Sequence, residues 1–204
     1  MYYKTELEDY VETLYKKLGL TWNDGPLLQE VADRINIEIY RSPLHSQALR
    51  INGRMQINLN INLETYEDQW ETFGHELHHA LTDVGNQALF PFPLRELHER
   101  KAQNFALHFC IPTFKLERLK WPEGNAVPLI AERFRVTLPF ASKRLDQYRN
   151  RIIQSQIDDQ IYVAEPAPPT YDISKKSEET QRIMMQLKAQ LNRKGEQLEF
   201  KSLL

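Results

Sequence analysis

The residues with the plainest chemistry in this 204-residue chain are His75, Glu76 and His79, set in the run His75-Glu76-Leu77-His78-His79. Residues four apart on an α-helix lie about 40° apart around the axis and about 6 Å along it. Two imidazoles at that spacing can share one tetrahedral zinc ion. Glu76 occupies the neighbouring angular position, from which a carboxylate addresses water beside the metal and not the metal itself. The chemistry this spacing suits is hydrolysis. A Lewis-acidic ion acidifies water and polarises a carbonyl, and the glutamate carries the proton to the leaving amide nitrogen. The plainer reading is a pair of surface or capping histidines that hold no ion.

A catalytic zinc requires a third protein ligand and an open position. Glu96, His98, Glu99 and His108 are the downstream candidates. On a helix through this region Glu99 is flanked by Ala102, Gln103 and Ala106, and the small residues allow a close approach to the first helix. His108 lies about 180° from Glu99, so the two cannot serve one metal. Glu96, about 60° from Glu99, stays in competition. Asp83, four residues after His79, could hold the second nitrogen of that imidazole; the plainer reading is a solvated acid near the helix end.

The elements that must carry these groups follow from periodicity. Trp70, Phe73, Leu77, Leu81 and Val84 are spaced 3, 4, 4 and 3, an apolar stripe facing away from the histidine pair. That helix runs from about Thr65 to Gly85. A second is expected over 94–109, ending before Pro112 because a residue preceding proline disfavours the helix. Upstream, residues 5–18 and 27–35 repeat apolar positions as helices, and 35–40 alternates as a strand. Residues 48–51, Asn52-Gly53 and 54–59 predict a hairpin with a type I′ turn. Residues 127–150 read as two further short helices. Ala164 to Thr170 is a proline-rich linker, and a charged helix is expected around Ile183, Leu187 and Leu191.

Composition bounds the rest. Lys and Arg number 26 against 28 Asp and Glu, for a net charge of −2, which argues against a body that coats nucleic acid or anionic membrane. No run approaches the roughly 18–20 apolar residues of a membrane span. The N-terminal segment lacks a signal-peptide core, so a cytoplasmic location is expected. Cys110 is the single cysteine. It excludes an internal disulfide and multi-thiolate zinc sites, leaving the metal to imidazole and carboxylate.

Taken together, His75-Glu76-Leu77-His78-His79, then Glu99-Arg100-Lys101-Ala102-Gln103-Asn104-Phe105-Ala106, then Ile111-Pro112 resemble the ImmA/IrrE family of zinc metallo-endopeptidases. Trp70-Glu71-Thr72-Phe73 and Ile57-Asn58-Leu59 resemble its lead-in, and the likeness covers roughly residues 27–150. It implies an α+β, zincin-like domain, mainly helical, with a small twisted, mostly antiparallel sheet. It implies one Zn2+ per chain on His75, His79 and Glu99, with Glu76 as catalytic base. Three residues depart from the family pattern: His78 for glycine, Gln103 for Asn or Asp, and His108 for Glu. Gln103 bears on a hydrogen bond to a ligand histidine.

The resulting organisation is an N-terminal helix (1–26), a metalloprotease core (27–125), a helix-turn-helix-like subdomain (126–163), and a linker with a charged helical tail (164–204). The resemblance implies site-specific cleavage of a DNA-binding, helix-turn-helix repressor of a mobile element or stress response. The tail is expected to be a partner-binding or solvated helix and not a nucleic-acid arm, an activator protein being the partner it could dock. A substrate peptide is expected to add to an edge strand of the 48–61 hairpin. In the 128–145 segment Ala131, Val136 and Leu145 are expected buried, and Arg135, Lys143 and Arg144 exposed. Packing on the protease body is the expected role of that segment, with no direct contact to nucleic acid. The rival from another class is a non-catalytic zinc-fold regulator that binds DNA or a repressor through 128–145.

Overall fold

The computed structural model describes residues 2–20, 28–82, 91–122, 124–164 and 177–194. In chain order the elements are α1 (Glu6–Lys17), α2 (Leu28–Arg34), β1 (Glu38–Ser42), β2 (Gln47–Ile51), β3 (Arg54–Asn60), α3 (Tyr66–Thr82), α4 (Phe92–Cys110), α5 (Thr113–Leu116), α6 (Val127–Phe134), α7 (Leu138–Ala164) and α8 (Glu178–Lys194). The fold is α+β, with helices around a three-stranded sheet. Contacts divide the chain into two units, residues 1–155 and 156–204. Among the described residues no helix is long and apolar enough to cross a membrane.

The hairpin forms as its turn residues dictate: Asn52 and Gly53 both take positive φ, at 51° and 80°. β2 and β3 pair antiparallel, Ala48 facing Ile57. β1 then adds to the other side of β3 in parallel, Ile39 facing Ile57, so the sheet is mixed and ordered β1-β3-β2. The parallel pair arises because the chain must cross from β1 to the far edge before turning back. The β1 strand starts later than alternation suggests. Asn36, at φ 57°, closes α2 with the Ile37 N–H bonded to the Ala32 carbonyl, and only then does the chain extend.

α3 crosses β3 and β2 and packs along α4. Its stripe is the centre of the core: Trp70, Phe73 and Leu77 are fully buried, with Ile57 and Leu59 from β3 and Phe105 and Phe109 from α4. Gly74 permits the close contact. A Cβ there would meet the Cys110 sulfur at 2.8 Å and Ala106 at about 3.5 Å. Small residues on both helices thus set their spacing, and that spacing positions the site. Val84 and Gly85 lie outside the described residues.

The 127–150 region is one short helix, α6, and one of 27 residues, α7, in place of two short helices. Ala131, Val136 and Leu145 are buried as expected. Arg144 is not exposed: it is 1% accessible. Its guanidinium donates to the Ile111 carbonyl and the Thr113 hydroxyl and lies 3.6 Å from Glu8. Glu8, at the third position of α1, also completes a capping box with Thr5. A buried charge needs such partners, because leaving it unpaired costs several kcal/mol, of the order of 3–5. One ion pair therefore ties α1 and α7 together through the start of α5. In the second unit, α8 spans the helix expected around Ile183; of the expected linker, Ala164 is the last residue of α7, and 165–170 lie outside the described residues.

Candidate metal centre

His75 and His79 lie one turn apart on α3, on the side opposite the core stripe, and α4 brings Glu99 across to them. The His75 and His79 Nε2 atoms are 3.2 Å apart. Glu99 Oε2 is 3.1 Å from His75 Nε2, and Glu99 Oε1 is 3.5 Å from His79 Nε2. Around a tetrahedral zinc with bonds of about 2.0–2.1 Å, neighbouring donor atoms stand about 3.4 Å apart. The triangle has the size of one face of that tetrahedron. Its donors, two imidazoles and one carboxylate, are the set a catalytic zinc accepts. Among the described residues this is the one such cluster of His, Cys, Asp or Glu groups.

The electrostatics suit a cation. Burial holds the His75 imidazole below its usual pKa, against the pull of Glu99. Burial and the neighbouring His75 do the same to His79. Both rings are thus kept neutral, the form in which they can ligate. Glu76 is not a member of the triangle. The residue is 8% accessible, and its Oε2 accepts the main-chain N–H of Ala48 on β2 at 2.9 Å. Burial pushes its pKa up to about 7, aided by the charge of Glu99 and opposed by the Ala48 bond. A carboxyl with a pKa near neutrality can both take and return a proton.

The remaining sequence candidates separate cleanly. Glu96 is exposed and outside the triangle. His98 is half-buried and likewise outside it. His108 is buried on another face of α4, its Nδ1–H donating to the Asn104 carbonyl at 2.9 Å, with Glu8 at 4.0 Å. Gln103 is exposed and makes no hydrogen bond to either histidine among the described residues. Asp83 lies outside the described residues. His78 packs its ring on Phe105, with centroids 5.3 Å apart.

Four residues contribute to the site that the sequence pattern did not assign to it. The Ala48 amide is a main-chain group and leaves no mark on side-chain patterns. Gly74 carries a signal in principle, a glycine in the middle of an apolar helix. Phe140 and Lys143, near the start of α7, help line a cleft of about 300 Å³ beside His75. More than sixty residues of chain separate them from the motif, and only the packing of α7 on α3 and α4 brings them near.

Comparison with known proteins adds a lineage to this geometry. The model of the IrrE N-terminal-like domain, peptidase M78, matches residues 32–146. The phage-like element PBSX protein XkdA of Bacillus subtilis (strain 168) is 38% identical over 151 residues, 73% of this chain and 76% of that protein. The uncharacterized protein YqaB of the same strain is 30% identical over 155 residues, 75% of this chain and 90% of its own length. Among solved structures, a Mycobacterium tuberculosis transcriptional regulator superposes with a TM-score of 0.48 at 15% identity, over 70% of this chain. The chain spans about half of that structure, 47%.

Proposed function

From the premise that this chain belongs to the IrrE N-terminal-like, peptidase M78 family, we propose that it is a zinc-dependent endopeptidase. His75, His79 and Glu99 would hold one ion per chain. The observation that carries the reading is the position of Glu76, adjacent in sequence to a ligand, buried, and fixed by the Ala48 amide. A structural zinc site is closed by four protein ligands, whereas the described residues supply three, with Glu76 buried and unligated at the next position of α3.

When bound, zinc supplies a Lewis acid that polarises the scissile carbonyl and makes water acidic enough to give up a proton near pH 7. This chain's own residues do the rest. Glu76 takes the proton from the attacking water and passes it to the amide nitrogen as the C–N bond breaks. The Ala48 amide holds the Glu76 carboxylate in one orientation. The substrate peptide would add to the sheet at β2. Of the hairpin's two strands, β2 is at the edge, and β3 is enclosed between its neighbours.

The proposed substrate is a helix-turn-helix repressor cut at one site, within a mobile element. The likeness to a phage-element protein supports that setting. The burial of Arg144 weighs against the rival reading of 128–145 as a DNA reader, since it removes one of the three cations that reading requires. The test is incubation of the protein with the product of the neighbouring repressor gene, with and without a chelator. Glu76→Gln should keep one zinc per chain and lose cleavage by about 10²–10⁴-fold. Undiminished cleavage or biological activity in that variant overturns the peptidase.

A further inference from the structure

The cleft beside His75 is formed by three helices. α3 gives Thr72 and His75, α4 gives Gln103 and Leu107, and α7 gives Phe140 and Lys143. We propose that this cleft is the subsite for a substrate side chain next to the scissile bond, that it selects an apolar residue, and that Lys143 disfavours lysine and arginine there. The inference rests on the peptidase reading for its substrate.

Four observations lead to it. His75 is both a wall of the cleft and a member of the metal triangle, so a group in the cleft sits within one residue of the reacting bond. The apolar lining is preformed: Leu107 is buried and Phe140 is half-buried. The volume falls at the lower end of the roughly 300–1,000 Å³ of ligand pockets, enough for one side chain and its solvent. Two charged groups face it. The Glu71 carboxylate already accepts the Thr137 main-chain N–H at 2.6 Å, whereas Lys143 is exposed and makes no ion pair among the described residues. The second helix of the helix-turn-helix-like segment thereby gains a task. It reads a substrate side chain where a DNA reader would contact a phosphate.

The test titrates N-acyl amino-acid hydroxamates, with glycine, leucine, phenylalanine, glutamate or lysine side chains, into the zinc-loaded full chain by calorimetry. Leucine and phenylalanine should bind about tenfold tighter than glycine, as burial of an apolar side chain requires, and lysine no tighter than glycine. Phe140→Ala should cut the apolar advantage by about fivefold at unchanged zinc content. Lys143→Glu, on an exposed side chain that leaves folding untouched, should invert the order of glutamate and lysine and keep the apolar preference. Equal affinities across the series, or a ranking that ignores both substitutions, overturns the proposal. Cleavage of a mixed peptide library is scored in parallel. A protein that ranks the hydroxamates as stated but cuts nothing retires the peptidase and leaves the subsite. One that cuts with preferences indifferent to Phe140 and Lys143 does the reverse.

Discussion

The main-chain N–H of Ala48 donates to the Glu76 carboxylate across 2.9 Å, joining the edge strand β2 to the proposed catalytic base. Because this N–H points away from β3, proline at position 48 removes it without breaking a bond of the ladder. Hydrogen bonds to charged groups contribute about 1.5–3 kcal/mol. Ala48→Pro should therefore lower kcat by about 10–100-fold at unchanged zinc content, measured on one peptide substrate at fixed pH.

The third ligand is settled by a paired substitution. Glu99 closes the triangle with His75 and His79, and Glu96 stands outside it. Partners in the outer shell of a metal site contribute about 10–100-fold in affinity, so loss of a direct ligand should exceed that. Competition with a chelating dye should show zinc affinity falling by more than about a hundredfold in Glu99→Gln and staying unchanged in Glu96→Gln. Equal losses would return the two carboxylates to competition.

Gly74 sets the distance between the helices that carry the ligands. A methyl group there meets the Cys110 sulfur at 2.8 Å, inside any normal contact. Overpacking of this kind costs about 1–3 kcal/mol. Gly74→Ala should lower stability by that amount in urea unfolding and weaken zinc binding, because α4 must retreat and take Glu99 with it. Cys110→Ala in the same chain should restore most of both, a coupling that two independent defects would lack.

Acid should destabilise the fold through His108. Burial, with the nearby Arg144 charge, holds its pKa down to about 4 from an ordinary 6.5. Above pH 6.5 neither the folded nor the unfolded imidazole is protonated, and the group contributes no pH dependence. As pH falls from 6.5 toward 4, the unfolded chain takes up a proton that the fold refuses. Stability then declines by up to about 3 kcal/mol. Glu8 adds a second loss at lower pH. Although burial opposes it, hydrogen bonds from Thr113, Tyr2 and Thr5 hold its pKa below 4.5, so its stabilisation disappears as pH drops through that lowered value. Urea unfolding of the metal-free protein at pH 7.5 and pH 5 should show a smaller drop in His108→Gln than in the parent.

Much of the site was legible before any coordinates. The H-E-x-x-H spacing, the opposed apolar stripe and the small residues around Glu99 are local properties of two helices. A helix converts sequence spacing directly into angle, so these readings carry over. The Asn52-Gly53 turn was legible for the same reason, since only residues tolerant of positive φ suit it. Arg144 was not legible. In sequence it is one basic residue on an amphipathic helix, and its burial depends on Glu8, 136 positions earlier, arriving with a carboxylate to meet it.

What the amino-acid order alone supplied is therefore the candidate chemistry: side chains of the types that bind a metal at helical spacing, a carboxyl beside them, and too few cysteines in this sequence for a multi-thiolate site. Tertiary structure decided everything that needs two distant segments at once. It put Glu99 and not Glu96 at the histidines, the Ala48 amide on Glu76, and Phe140 and Lys143 beside His75. The reason is physical. Helical periodicity acts over a turn or two, whereas the approach of α3, α4, α7 and β2 is set by close packing at contacts such as Gly74 on Cys110. That fit depends on all of those elements being present together.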